Sequence, residues 1–266
     1  MNISMRLNVP TELRLSDVYE NNPFTLFEME NFLDQKLYES LRKEFPDRSY
    51  FTKCYDKGNK ICFDNNDPKF FKFIEQSKTW KLFYQTFNSE ANIKKFFHLL
   101  LPDLKRIPQR KKIKNIKLFN QRNLDYKSKV YNKILNLIGT KFVKVKFQFS
   151  RIQNNCFIPP HCETKNKICA LLIYFPDKNM SKFDKNRLGT NFYKKSKDNL
   201  DVWDSGIMDE SETINFYKNY QRFYYSKFTE NKLVGLIKSD NSWHDVTKLD
   251  NLKEDRKSFN IFFFLA

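Results

Sequence analysis

Hydrophobic and polar positions change their rhythm midway along the chain. Val143, Val145, Phe147 and Phe149 alternate with Lys144, Lys146, Gln148 and Ser150. That period of two predicts a strand with one apolar face. Ile168 to Phe175 is an unbroken apolar run, as in a strand covered on both faces. Leu233 to Ile237 and Arg256 to Phe264 read as further strands, and Leu188 to Tyr193, with Gly189 and Thr190, as a short one. Gln153-Asn154-Asn155 marks a turn.

Before Gly139 the apolar positions recur at helical spacing. Asp34 is placed to cap a helix carrying Leu37, Leu41 and Phe45, which Pro46 ends. Asp67 and Pro68 open a second helix whose apolar positions include Phe71, Ile74, Phe83 and Phe87. Ser89 to Leu101 forms a third, with Ile93, Phe96, Phe97 and Leu100, and Ser128 to Ile138 a fourth, closed by Gly139. Pro23 to Phe27 precedes them as a short strand. The segment 194–232 has no clear period. Its aromatic residues, Phe216, Tyr217, Tyr220, Phe223, Tyr224 and Tyr225, suit either a packed surface helix or a lid. The expected class is α+β with a mainly β core. The expected organisation is one domain over 1–266, helix-rich over 1–140 and strand-rich over 141–266, with an insertion at 194–232.

Composition narrows the class. The 266 residues are 40% hydrophobic and 17% aromatic, ample for a core. No apolar run approaches the ~20 residues of a membrane span, and the N-terminus lacks the apolar stretch of a secretory signal. The five cysteines are odd in number and form no CxxC pair, so reduced thiols and a cytoplasmic location are expected. The net charge of +17 admits a polyanionic partner. However, the lysines are spread along the chain, and the densest basic run, 105–117, has no aromatic residue interleaved to stack a base. We therefore expect a solvated loop there, no nucleic-acid partner, and at most a bias towards an anionic substrate.

Candidate chemistry gathers at Pro159-Pro160-His161-Cys162-Glu163. Residues two apart on a strand point to one side, so His161 and Glu163 can aim at one point while Cys162 turns away. An imidazole and a carboxylate supply two thirds of a 2-His-1-carboxylate iron site. Of the three histidines, His98 lies on an amphipathic helix and reads as a surface residue. His244 follows a turn in the strand-rich half. Arg256 and Ser258 share a strand face further on, and a guanidinium fork beside a hydroxyl suits a carboxylate. Zinc is the competing metal, because Cys156 and Cys162 lie near His161.

His161-x-Glu163, His244 and Arg256-x-Ser258, in that order, resemble the Fe(II)/2-oxoglutarate-dependent oxygenases. The flanking Pro159-Pro160, the Leu171 to Phe175 strand, Gly189-Thr190 and the Asn241 to Val246 stretch are similar to the prolyl-hydroxylase-like branch. So, loosely, is Pro23 to Pro46; residues 51–140 are not. The resemblance implies a double-stranded β-helix (jelly roll), with the N-terminal helices packed outside. It implies iron held by His161, Glu163 and His244, with 2-oxoglutarate held by Arg256 and Ser258. Dioxygen is the oxidant and ascorbate an optional reductant. The implied reaction couples decarboxylation of 2-oxoglutarate, giving succinate and CO2, to hydroxylation of an unactivated C–H on a small-molecule or peptidyl substrate. Tyr174 is a candidate for a further hydrogen bond to 2-oxoglutarate, or a core tyrosine. Gln148 and Arg151 are candidates for the cavity wall. Glu163 departs from the commoner Asp; Gly or Ala there would have suggested halogenation. The alternative function is a catalytically silent β module that binds a ligand or partner.

Overall fold

The structure is a computed structural model, and it describes residues 18–20, 23–53, 60–119, 133–135, 137–181, 186–196 and 208–266. Two mostly antiparallel sheets carry it. The larger contains β1 (Val18–Glu20), β2 (Leu26–Met29), β3 (Thr52–Lys53), β4 (Lys60–Asp64), β5 (Asn115–Leu118), β6 (Thr140–Ile152), β8 (Lys167–Tyr174), β11 (Leu233–Ile237) and β13 (Arg256–Leu265). Its order is β1-β2-β11-β8-β13-β6-β4-β3, with β5 parallel to β6. The smaller sheet runs β10-β9-β12-β7. Its strands are β7 (Cys156–His161), β9 (Thr190–Lys195), β10 (Tyr220–Ser226) and β12 (His244–Leu249).

One apolar cluster lies between the sheets. It joins Ile152, Ala170, Leu236 and Phe262 of the large sheet to Phe192 and Val246 of the small one. A second cluster lies on the other side of the large sheet, under α1 (Gln35–Lys43), α2 (Pro68–Gln76), α3 (Lys78–Phe87) and α4 (Glu90–Arg106). There Trp80 packs edge-on against Phe149 at 4.6 Å, and Phe149 against Phe259 at 4.7 Å. Both faces of β6 are therefore covered. Phe147 and Phe149 face the helices, while Gln148 and Ser150, the polar half of the pattern, are buried on the other side.

Local chemistry sets the helix ends. Asp34 caps α1 by accepting from the Lys36 and Leu37 amides, and Asp67 caps α2 with Pro68 in its first turn. The single helix expected from Asp67 to Phe87 is two. Ser77 ends α2, and its hydroxyl accepts from the Trp80 amide to start α3. The break turns the helix so that Phe70, Phe73 and Ile74 are buried, while Phe71 is exposed. Most of the helix expected over 128–138 lies outside the described residues. Gly139 does adopt positive φ, +85°, where an added Cβ would lie 2.6 Å from the Lys112 carbonyl.

Three further expectations need correction. The segment 194–232 is not irregular where described. It holds α5 (Glu210–Asn219) and strand β10, whose register slips between Arg222 and Tyr224, and that bulge hid the period of two. Residues 197–207 lie outside the described set. The basic run 105–117 is not simply solvated: Arg110 is buried and donates to the carbonyls of Lys165 and Lys167, at 2.9 and 2.8 Å. Cys62 is disulfide-bonded, whereas Cys162 and Cys169 are free. Pairing depends on how closely two backbones approach, which spacing along the chain does not reveal. The disulfide removes the support that reduced thiols lent to a cytoplasmic location. Among the described residues no helix is long and apolar enough to cross a membrane.

Candidate functional site

β7 is the edge of the small sheet, where Pro159 and Pro160 cost few ladder hydrogen bonds. It ends at His161, directly opposite His244, the first residue of β12. The two rings lie 4.2 Å apart. The Nδ1 of His161 is 2.9 Å from the Pro159 carbonyl, and that of His244 is 3.0 Å from the Ser242 carbonyl. A carbonyl only accepts, so each Nδ1 carries the proton and each Nε2 offers a lone pair. Glu163 completes the group: one ligand atom from each of His161, Glu163 and His244 lies within 4.8 Å of the others. Glu163 Oε1 is 3.9 Å from His244 Nε2, and Oε2 is ion-paired with the Lys167 ammonium.

Burial pushes the His161 imidazole down to about 3, reinforced by His244 beside it, and burial also lowers His244. Burial alone would raise the Glu163 carboxyl. The Lys167 ammonium paired with it outweighs burial and brings the group below the usual carboxylate range. Neutral imidazoles with an ionised carboxylate are the protonation state that a divalent cation requires.

The group opens into a cavity of about 300 Å³ between the sheets. Arg256, Ser258, Asn260 and Phe262 line it from alternate positions of β13, with Ser150, Leu172, Lys60 and Lys167 around them. Arg256 is buried. Its Nε donates to the Leu188 carbonyl at 2.5 Å and one terminal nitrogen to Thr190 Oγ1 at 2.9 Å. Gly189 makes this possible: an added Cβ there would fall 2.0 Å from the Ser226 carbonyl of β10. Tyr174 does not line the cavity. Its ring lies under the Arg256 guanidinium at 4.9 Å, and its hydroxyl pairs with Thr190 Oγ1 at 2.8 Å. Gln148 stands one layer back, accepting from Lys60 Nζ and Asn260 Nδ2, both at 3.3 Å. Arg151 points the other way. It donates to the Pro46 carbonyl and Asp255 and covers the Phe51 ring, so it is no part of the wall. The Cys162 thiol packs with Trp243, and burial pushes it up to about 12.

Asp245 follows His244 and turns to the other face, where Asn191, Tyr193 and Tyr217 donate to it at 2.7, 2.8 and 2.6 Å. This network ties α5 to the strand that bears His244. Lys60, Lys167, Asn260 and Thr190 escaped the sequence reading as site residues. Asn260 alone had a signal, because it continues the alternation of Arg256 and Ser258.

Among solved structures, the chain is similar to a prolyl-4-hydroxylase from Pseudomonas putida. The TM-score is 0.50 at 9% identity, over 91% of this chain and 92% of that one. The chain has the fold of the iron- and 2-oxoglutarate-dependent oxygenases. A prolyl hydroxylase from Trichoplax adhaerens, in complex with a hypoxia inducible factor peptide fragment, aligns at a TM-score of 0.47 and 8% identity, over 90% of this chain and 83% of that one. No protein-family model and no curated protein matches the sequence.

Proposed function

We propose that this protein is an Fe(II)- and 2-oxoglutarate-dependent oxygenase that hydroxylates an unactivated C–H of its substrate. The observation that carries this reading is the convergence of His161, Glu163 and His244 at a cavity that also receives Arg256. Two imidazoles and one carboxylate form the donor set of a facial iron site with positions left open. The paired sheets are read as the double-stranded β-helix. His161 and His244 would hold the metal through Nε2, each oriented by the carbonyl at its Nδ1. Glu163 would bind through Oε1, since Lys167 restrains Oε2. Iron with 2-oxoglutarate and dioxygen would supply the oxidising chemistry.

The chain's own residues bind, orient and exclude water. Arg256 and Ser258 would take the far carboxylate of 2-oxoglutarate, with Thr190 and Tyr174 bracing the guanidinium. Ile158, Leu172, Val246 and Phe262 are the apolar part of the cavity lining, which keeps water from the reacting centre. One observation favours the alternative, a module that binds without turnover: the Lys167 ammonium already pairs with Glu163.

Anaerobic addition of Fe(II) and 2-oxoglutarate separates the two readings. An oxygenase site should give a weak visible charge-transfer band that His161→Ala abolishes, and air should then release succinate. A protein that shows no band and no succinate has no oxygenase site.

A further inference from the structure

The three candidate ligands stand where regular strand pairing gives out. β7 ends at His161, β12 begins at His244, and Glu163 lies beyond the end of β7. The ladder behind the histidines is irregular. From the His161–His244 pair to the Ile158–Val246 pair, β7 advances one residue more than β12, and the register shifts again before Cys156 and Leu249. A bulge disrupts the ladder locally, and the ends of strands open more readily than their middles. A metal centre nonetheless needs its donors held closely.

Helix α5 supplies that hold through the residues next to the ligands in sequence. Cys162 and Trp243 share a small apolar cluster with Tyr193, Met208, Phe216 and Tyr220. Phe216 of α5 is fully buried, and its ring lies 5.3 Å from Trp243 and 5.2 Å from Tyr193. Asp245 is 1% exposed. Tyr217 of α5 and Tyr193 of β9 both donate to its Oδ2, at 2.6 and 2.8 Å, and Asn191 donates to its Oδ1 at 2.7 Å. Arg222 of β10 in turn donates to Asn191 Oδ1 at 3.1 Å. The helix is itself fixed at both ends. Asp209 and Glu212 form a capping box, and the Asn219 carbonyl accepts from the Ser196 amide at 2.8 Å. Tyr217 is 44% exposed, so its hydroxyl, bonded to a carboxylate, contributes more than the burial of its ring.

We propose that Tyr217 and Tyr193 are positioning residues for the metal centre: acting through Asp245, they fix the backbone that presents His244 opposite His161. This rests on the oxygenase reading of that centre and deepens it, because it gives the helix within 194–232 a role. The helix is a brace for the ligands rather than a lid over the substrate. Neither tyrosine is among the residues that line the cavity, so both act on the metal site from behind. Phe216 and Tyr220 complete the brace by packing on Trp243, the residue before His244.

The test uses the full chain and Tyr217→Phe, which removes one hydroxyl and keeps the ring. Mn(II) affinity, read by electron paramagnetic resonance, should fall about 3-fold in Tyr217→Phe and about 10-fold in the double variant with Tyr193→Phe, at or below the low end of the range for groups that orient a ligand. The visible spectrum of the Co(II)-loaded protein should shift in both. Leu100→Ala, in the helical cluster on the far side of the large sheet, is a control of lowered stability and should change neither readout. A metal-free measurement stands beside these. With histidine labelled by 15N, the Nδ1 proton that His244 donates to the Ser242 carbonyl should exchange faster in Tyr217→Phe, while the His98 signals stay in place. Wild-type affinity and spectrum in both tyrosine variants overturn the proposal and leave the oxygenase reading intact. Equal losses in Leu100→Ala also overturn it, because they would be an effect of stability alone. If the wild type binds no metal, the oxygenase reading falls and the His244 proton decides. Faster exchange keeps the brace, and unchanged exchange removes it.

Discussion

At Glu163 the carboxylate is held by a single cation, the Lys167 ammonium. The ammonium holds Oε2, which leaves Oε1 facing His244. Arg110 in turn fixes the carbonyls of Lys165 and Lys167, so the clamp has a rigid base. Lys167→Met should therefore free the carboxylate and weaken Mn(II) binding roughly 10-fold or more, the scale for losing a partner that orients a ligand. Calorimetric titration of Mn(II) reads it. Unchanged affinity would show that Lys167 only neutralises charge. A pH dependence belongs to the same group. His161 is held down to about 3, against about 6.5 in an unfolded chain. Between those values the unfolded chain binds a proton that the folded one refuses, so stability falls as pH falls below about 6.5 and is flat above it. The urea midpoint of metal-free protein should be lower at pH 5 than at pH 7.5, and His161→Gln should reduce that difference.

Elements place these groups by simple means. β7 tolerates two prolines because it is an edge, and β12 pairs with it so that His161 and His244 are opposite. β9 begins where Gly189 lets the chain pass close to Ser226, which presents the Leu188 carbonyl and Thr190 hydroxyl to Arg256. Gly189→Ala should displace that start. We expect weaker 2-oxoglutarate binding in the metal-loaded protein with metal affinity retained, measured by titrating the visible band. On the far side of the large sheet, Trp80 is fully buried against Phe149 and Phe259, and its ring nitrogen donates to the Leu41 carbonyl at 3.2 Å. Trp80→Ala should cost about 3–5 kcal/mol in chemical denaturation, since the helices and the sheet that backs the cavity share that ring.

Across the whole molecule, metal should act as a ligand for the fold. Mn(II) at 100 times its dissociation constant should stabilise the folded state by about 2.7 kcal/mol, visible as a rise in Tm that His244→Ala removes. The primary structure by itself determined the central strands β6, β8, β11 and β13, because their patterns of alternation and unbroken apolarity are local. It also offered His161, Glu163, His244, Arg256 and Ser258 as candidates: Arg256 and Ser258 do share a strand face, whereas Glu163 lies just beyond the end of β7 and reaches the group from the turn that follows. Tertiary structure alone decided what lies opposite them. Lys60 sits on a strand that the sequence pattern did not reveal, about a hundred residues before His161. Lys167 pairs with Glu163 across a turn rather than along a helix. Gln148 and Ser150 look like a solvent face until the small sheet covers them. Local pattern encodes which way a side chain points; the charge, depth and contents of a cavity depend on elements brought together from far apart in the chain.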